Sequence, residues 1–210
     1  MTMLDRTRAL RTKQHDLVGD RFTLFAAVAD AVEANSVLYP GSYVDLTPAF
    51  IWPSVTFVDV DRRAHQFFSD RDGVRQLLSE HEVNPAVHAV EFLHGDYQGS
   101  LDLAENSFDL LISLYAGFVS EHCTRYLRVG GHLMVNSSHG DAAMTSIDPR
   151  YRLGAVITAH DAGCRVTSTD LDSYMIPKRD VVVSKEHLHE TGRGIAYTRS
   201  PFAYLFERRA

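Results

Sequence analysis

The sequence predicts an α/β fold, a mostly parallel sheet with helices on both faces. Three observations carry this. Short apolar runs alternate with segments of helical period over most of the 210 residues, the pattern of parallel strands joined by crossover helices. Residues 108–114, FDLLISL, are almost continuously apolar, as strands buried on both faces are. The tail breaks the alternation. Residues 165–174 and 202–206 alternate like strands with no full crossover helix between them, so an antiparallel partner is expected at one edge.

In chain order, residues 1–15 show no clear period and read as a loosely docked helix. Gly19-Asp20 then opens a better one, with Asp20 as cap, Phe22, Phe25, Val28, Ala31 and Val32 on one face, and Asn35 as its end. Residues 36–39 form a first strand that stops at the turn pair Pro40-Gly41. Thr47-Pro48 carries the hydroxyl and the proline of a helix start, and Pro53 cuts that helix short. Residues 55–58 form a second strand, ending in Asp59. Asp61 and Asp70 cap two helices, one with Ala64, Phe67 and Phe68, the other with Val74, Leu77 and Leu78. Asn84-Pro85 breaks the pattern, and Val87 to Phe92 make a third strand that leads into His94-Gly95-Asp96. After the loop 101–106 come the fourth strand, a helix over 118–127, a turn at Gly130-Gly131 and a fifth strand over 132–136. Asp148-Pro149 opens a further helix with Leu153, Val156, Ile157 and Ala159 as apolar positions and Gly163 as its stop. The excursion 176–200 holds a short helix over 184–190.

Length and composition fit one domain rather than two. Its expected parts are N-terminal helices (1–35), a core (36–136) and a C-terminal part (137–210) with the insertion 176–200. The formal charge of −6 argues against non-specific nucleic-acid binding. No apolar run approaches membrane-span length, and no apolar segment of signal-peptide type follows Met1, so a cytoplasmic protein is expected. Cys123 and Cys164 lack metal-ligand spacing and read as buried thiols of a reducing compartment.

Strand, glycine turn, helix is the arrangement that brings backbone N–H groups toward an anionic or nucleotide ligand, and a carboxylate such as Asp59 sits where doubly wound folds hold ribose hydroxyls. The plainer alternative is an ordinary turn followed by an ordinary cap. Past the fifth strand lie His139 and Asp141, a candidate oriented general base. Their plainer alternative is a solvated histidine and a helix cap. Tyr115, past the fourth strand, is a further candidate. His187-Leu188-His189 lacks a third ligand, so no metal is expected. Tyr174 and Lys178 have the spacing of a dehydrogenase pair, but Pro177 stands between them.

The runs FLHGD (92–96), NSFDLLIS (106–113) and LRVGGHL (127–133) resemble the class I S-adenosylmethionine-dependent methyltransferases in letters and spacing. The resemblance implies a Rossmann-like three-layer sandwich, with a seven-stranded sheet whose last strand is antiparallel. It implies S-adenosylmethionine as cofactor and S-adenosylhomocysteine as product. Gly41 and Ser42, with Tyr43 in the next position, would lie under the methionine part. Asp59 would take the ribose hydroxyls, Val60 would touch the adenine, Asp96 would accept from its amino group and Tyr97 would lie beside the ring. Ser113, Leu114 and Tyr115 would border the transferring methyl. The sequence departs from the family in its first motif, where Tyr43 and Asp45 replace small residues and Tyr39 replaces the strand's acid. It also lacks the Pro-Pro-aromatic motif of amino-group methyltransferases after the fourth strand.

Three functions follow. The first is methyl transfer to a small-molecule acceptor, with a homodimer allowed and neither nucleic acid nor a membrane as partner. The second is a methyltransferase-like binding or assembly module without activity. The third is a nucleotide-binding oxidoreductase.

Overall fold

The computed structural model describes residues 3–18, 21–81, 88–160 and 163–210. Helices α1 (Met3–Val18) and α2 (Phe22–Ala31) precede the sheet. Its strands are β1 (Ser36–Pro40), β2 (Ser54–Asp59), β3 (Ala89–His94), β4 (Phe108–Ser113), β5 (Leu127–Val135), β6 (Tyr151–His160), β7 (Gly163–Thr167) and β8 (Ala203–Arg208). Their spatial order is β3-β2-β1-β4-β5-β8-β6-β7. β1 to β5 pair in parallel, β8 runs antiparallel to β5 and β6, and β7 runs antiparallel to β6. The expected antiparallel last strand is present. The described residues hold eight strands rather than seven, the addition being the edge strand β7.

The central strands are largely apolar, and both their faces are covered. Leu110 and Ile112 of β4 join a cluster with Phe25 and Val28 of α2, Phe67 of α3 (Arg62–Ser69) and Leu77 of α4 (Arg71–Glu80). Leu111, between them, joins the opposite cluster with Val119 of α5 (Val119–Cys123), Ala143 of α6 (Asp141–Ile147) and Leu188 of α7 (Lys185–Thr191). Each such leucine contributes about 1.5–3 kcal/mol by leaving water. Asp109 locks the start of the sheet. Its carboxylate accepts from the backbone N–H groups of Asn35 and Ser36 (2.9 Å each) and from Arg128 Nε (2.6 Å). Burial alone would raise this carboxyl, but these donors outweigh it and hold it at about 2.

Local signals worked where the cause is local. Asp61 accepts from Arg63 N (2.6 Å) and Asp70 from Gly73 N (3.1 Å), so both predicted caps form. Ser184 caps α7 by accepting from His187 N. The cap predicted at Asp20, the break at Asn84-Pro85 and the start of the third strand at Val87 lie outside the described residues. Phe22 is 42% exposed, so the buried face of α2 is Leu24, Phe25 and Val28, and the helix ends at Ala31 rather than Asn35.

Elsewhere the structure corrects the expectation. The helix predicted from Asp148 to Gly163 is the strand β6 followed by the start of β7. Ile157 faces one cluster and Val156 the other, so this run is apolar on both sides and its spacing mimics a helix. The strand predicted over 165–174 is shorter, since β7 stops at Thr167 and a 3₁₀ turn spans Leu171–Met175. The helix predicted over 118–127 is one turn of α5 plus a 3₁₀ turn (Thr124–Tyr126), because Leu127 already begins β5. Gly130-Gly131 therefore lies within β5. The Thr47-Pro48 start yields a single 3₁₀ turn (Thr47–Phe50), and it is Asp45, not Thr47, that accepts from Thr47 N (3.2 Å). Cys164 is only partly buried. No helix of the described residues is long and apolar enough to cross a membrane.

Candidate functional site

The chain leaves β1 toward β2 on one side and later returns to pair β4 on the other. The loops that follow β1 and β4 therefore diverge, and such a switch point opens a crevice at the carboxyl edge of the sheet. Gly41 makes the turn after β1 with φ +66, and a Cβ there would lie 2.8 Å from that of Ala116. Both facts call for glycine.

Asp59 ends β2 beside this turn. One carboxylate oxygen accepts from Tyr43 N and the other from Asp61 N, both at 2.7 Å. The carboxylate is thus fixed in orientation, and each oxygen keeps a second lone pair. Val60, next in the chain, is 61% exposed. Asp96 follows β3, which pairs with β2 through His94 and Asp59. Asp96 is exposed and accepts from Gln98 N (2.9 Å). Tyr97 turns toward the β4 loop instead, where its hydroxyl accepts from Gly117 N (2.9 Å). Burial raises its pKa, so it stays a neutral phenol.

Each of the three central loops holds a non-glycine residue in the left-handed region. Tyr43 follows β1 at φ 48, Tyr115 follows β4 at φ 57 and His139 follows β5 at φ 57. For residues of this bulk the conformation costs about 1–2 kcal/mol each. Strain of this kind gathers at functional sites. The Tyr43 side chain is partly buried and packs against the cluster under α2. Tyr115 is 54% exposed and its N–H donates to Asn136 Oδ1 (3.3 Å).

Sequence reasoning missed what supports Tyr115. The Arg21 guanidinium lies 5.2 Å from the Tyr115 ring centre. Arg21 Nη1 donates to both Tyr39 OH and Asp45 Oδ2 at 2.8 Å, and Arg21 and Asp45 are each 5% exposed. Burial alone would lower the Arg21 pKa, but Tyr39 and Asp45 reverse the direction and keep it charged. Burial pushes the Tyr39 phenol upward, so it is a neutral member of the group. Tyr39 and Asp45 are two of the three positions where this chain departs from the family it resembles, and these two are joined through Arg21. That paired departure was the available signal. Arg21 itself carried none, standing 18 residues from Tyr39.

Two site expectations are corrected. His139 and Asp141 do not form a pair. His139 is exposed and its Nδ1 lies 2.6 Å from Ser138 Oγ. Asp141 is 1% exposed and accepts from Ser113 Oγ and Ser120 Oγ, each at 2.5 Å, and from Ser120 N. It caps α5 from across the fold and orients nothing in the crevice. Likewise the Ser113 side chain points to Asp141, and Leu114 is buried in the α2-side cluster. Only their backbone is left for a ligand.

Burial pushes the Asp141 carboxyl up to about 6 from 3.8, against the hydroxyl donors that favour its ionised form. Its folded pKa is raised, so between about pH 4 and 6 the folded state holds a proton that the unfolded state has lost. Stability should therefore fall as pH rises through that window, by about 3 kcal/mol in all. Asp141→Asn keeps an acceptor for Ser120 N and removes this titration. In urea denaturation, the stability difference between variant and parent should move in the variant's favour by about that amount from pH 4 to 7. A constant difference would show that Asp141 titrates normally.

Neither a protein-family model nor a curated protein matches the chain. Solved structures do. A candidate O-methyltransferase from Klebsiella pneumoniae is 17% identical over 79% of this chain and 87% of its own, with a TM-score of 0.52. This chain has the class I methyltransferase fold. A candidate methyltransferase from Bacillus halodurans (15% identity, 90% and 98% coverage, TM-score 0.46) and the YcgJ protein of Bacillus subtilis (14%, 89% and 98%, 0.46) also match.

S-adenosylmethionine, the cofactor the resemblance implies, would meet two different settings here. At the positions assigned to its adenosine stand the oriented Asp59, the exposed Val60 and the exposed Asp96. At those assigned to its amino-acid part the Tyr43 N–H is engaged by Asp59, and Tyr39 and Asp45 by Arg21.

Proposed function

We propose that the protein is an S-adenosylmethionine-dependent methyltransferase acting on a small-molecule acceptor. The observation that carries this reading is the Asp59 carboxylate, held by two backbone N–H groups beside the tight Gly41 turn at the switch point of the sheet. A vicinal diol is the natural partner of an oriented carboxylate with free lone pairs. Asp59 would bind the ribose, Val60 would cover one face of the adenine, and Asp96 would accept from its amino group. Gly41, Ser42 and the backbone of residues 113–115 would border the amino-acid part. The bound cofactor supplies an electrophilic methyl group on a sulfonium.

The protein's own task is then chiefly to hold an acceptor in line. Tyr115, strained and exposed, stands where an acceptor would approach, and Arg21 and Asn136 fix its ring and backbone. His139, exposed past β5, is the titratable group able to take an acceptor proton without help from Asp141.

The engagement of the Tyr43 N–H by Asp59, and of Tyr39 and Asp45 by Arg21, where the amino-acid part would lie favours a second reading, a methyltransferase fold kept as a binding module. Calorimetric titration with S-adenosylmethionine and S-adenosylhomocysteine, with NADP as control, separates the two. Micromolar binding of the sulfur compounds alone is expected. No heat from folded protein would leave the module reading, and heat from NADP alone would point to the oxidoreductase.

A further inference from the structure

A groove lies on the α1 side of the sheet, beside the loop that follows β1. The segment after β1 makes only the 3₁₀ turn Thr47–Phe50 before β2 begins, where a longer helix would have filled the layer. Helix α1 lies over that space but is docked by polar contacts: Thr7 Oγ1 donates to Asp70 (2.6 Å) and Arg8 pairs with Glu80. Thr7 is the one fully buried residue of α1 among those described, and Leu10, partly buried, packs on the cluster beneath without filling the space beside Phe50. What remains is a groove of about 280 Å³.

Its lining specifies a chemistry. Phe50 forms one wall, with the His81 ring stacked on it at 4.1 Å (22° between planes) and the Arg11 guanidinium 4.9 Å from its centre. Phe22, 42% exposed, lines the same groove. Aromatic walls select a flat ligand body. Arg11, His15 and His81 supply cationic or donor groups, and Arg11 Nη2 lies 2.6 Å from His81 Nε2. The volume admits a molecule of roughly ten to fifteen heavy atoms, at the low end of ligand pockets.

We propose that this groove binds a small aromatic carboxylate, its ring between Phe22 and Phe50 and its carboxylate at Arg11. The proposed contacts do not depend on methyl transfer, since Arg11, Phe22 and Phe50 have no part in the crevice. The groove does adjoin the crevice, because Asp45 lines the groove and is joined through Arg21 to Tyr115.

The test is calorimetric titration of the cofactor-free protein with 1-naphthoate, the neutral isostere 1-naphthamide and inorganic phosphate. Naphthoate should bind with a dissociation constant below about 1 mM. Naphthamide should bind about tenfold more weakly, and phosphate should give no heat. Arg11→Gln should weaken naphthoate about tenfold and Phe22→Ala several-fold, while the exposed Arg179→Gln should leave it unchanged. Both groove substitutions are at partly or fully exposed positions, and a matching circular dichroism spectrum checks the fold. No heat from naphthoate, equal affinity for the amide, or indifference to Arg11→Gln would each overturn the proposal. Because no cofactor is present, that failure is distinct from failure of the methyltransferase reading.

Discussion

Arg21→Met should destabilise the protein by about 3–5 kcal/mol, a large share of what holds a domain of this size together. The guanidinium is 5% exposed and serves two buried acceptors, Asp45 Oδ2 and Tyr39 OH, each at 2.8 Å. Methionine fills most of the volume, so the loss is not a cavity effect. It arises because Asp45 is left as an uncompensated charge with no water to replace its partner. Tyr39 OH lies 3.3 Å from the same oxygen, too weak a neutral donor to replace an ion pair. Urea denaturation should show the midpoint shifted by roughly 2 M. The double variant Arg21→Met, Asp45→Leu should recover most of the loss, since a buried pair replaced by apolar groups often costs little. A single-variant effect below about 1 kcal/mol would mean that water reaches Asp45 once the arginine is gone.

The same group shows what the sequence can and cannot disclose. The caps at Asp61 and Asp70 and the doubly covered strand at residues 108–113 were legible because the cause lies within a few residues of the effect. β6 was not, because a strand with both faces buried loses the period-two signal that separates it from a helix. His139 and Asp141 misled for a related reason. They are close in sequence, but Gly140 between them takes φ +91, and the two side chains part, one to solvent and one into the core. The Arg21–Tyr39–Asp45 group is assembled from α2's approach, β1 and the loop after it. Nothing local marks it except that Tyr39 and Asp45 both stand where the resembled family has other residues. Asp59 was legible as a position, since it ends a strand at a predictable place. Its use of both oxygens on the backbone was not.

That double use makes Asp59→Ala the variant with the largest expected effect on binding. The carboxylate has two tasks. It holds the N–H groups of Tyr43 and Asp61, and in the proposed function it accepts from the ribose hydroxyls. Loss of the first task should cost about 1–2 kcal/mol of stability, because both N–H groups are near enough to solvent to find water. Part of that loss is returned, since Tyr43 is then released from its left-handed conformation at φ 48. Loss of the second should weaken S-adenosylhomocysteine binding by about 100-fold or more, the worth of two hydrogen bonds to a charged acceptor. Asp59→Asn keeps one acceptor oxygen for a backbone N–H but sets an amide donor against the other N–H and toward the diol, so part of the stability and most of the affinity should be lost. If the parent binds and Asp59→Ala binds equally well, the ribose lies elsewhere and the crevice assignment is wrong. If the parent does not bind, Tyr43→Gly becomes the informative change. Glycine adopts this backbone without strain and withdraws the ring from the turn. Binding gained by Tyr43→Gly would place the departure from methyltransferase chemistry at that one residue. Continued silence would point to the Arg21–Tyr39–Asp45 group, which stands where the amino-acid part would lie.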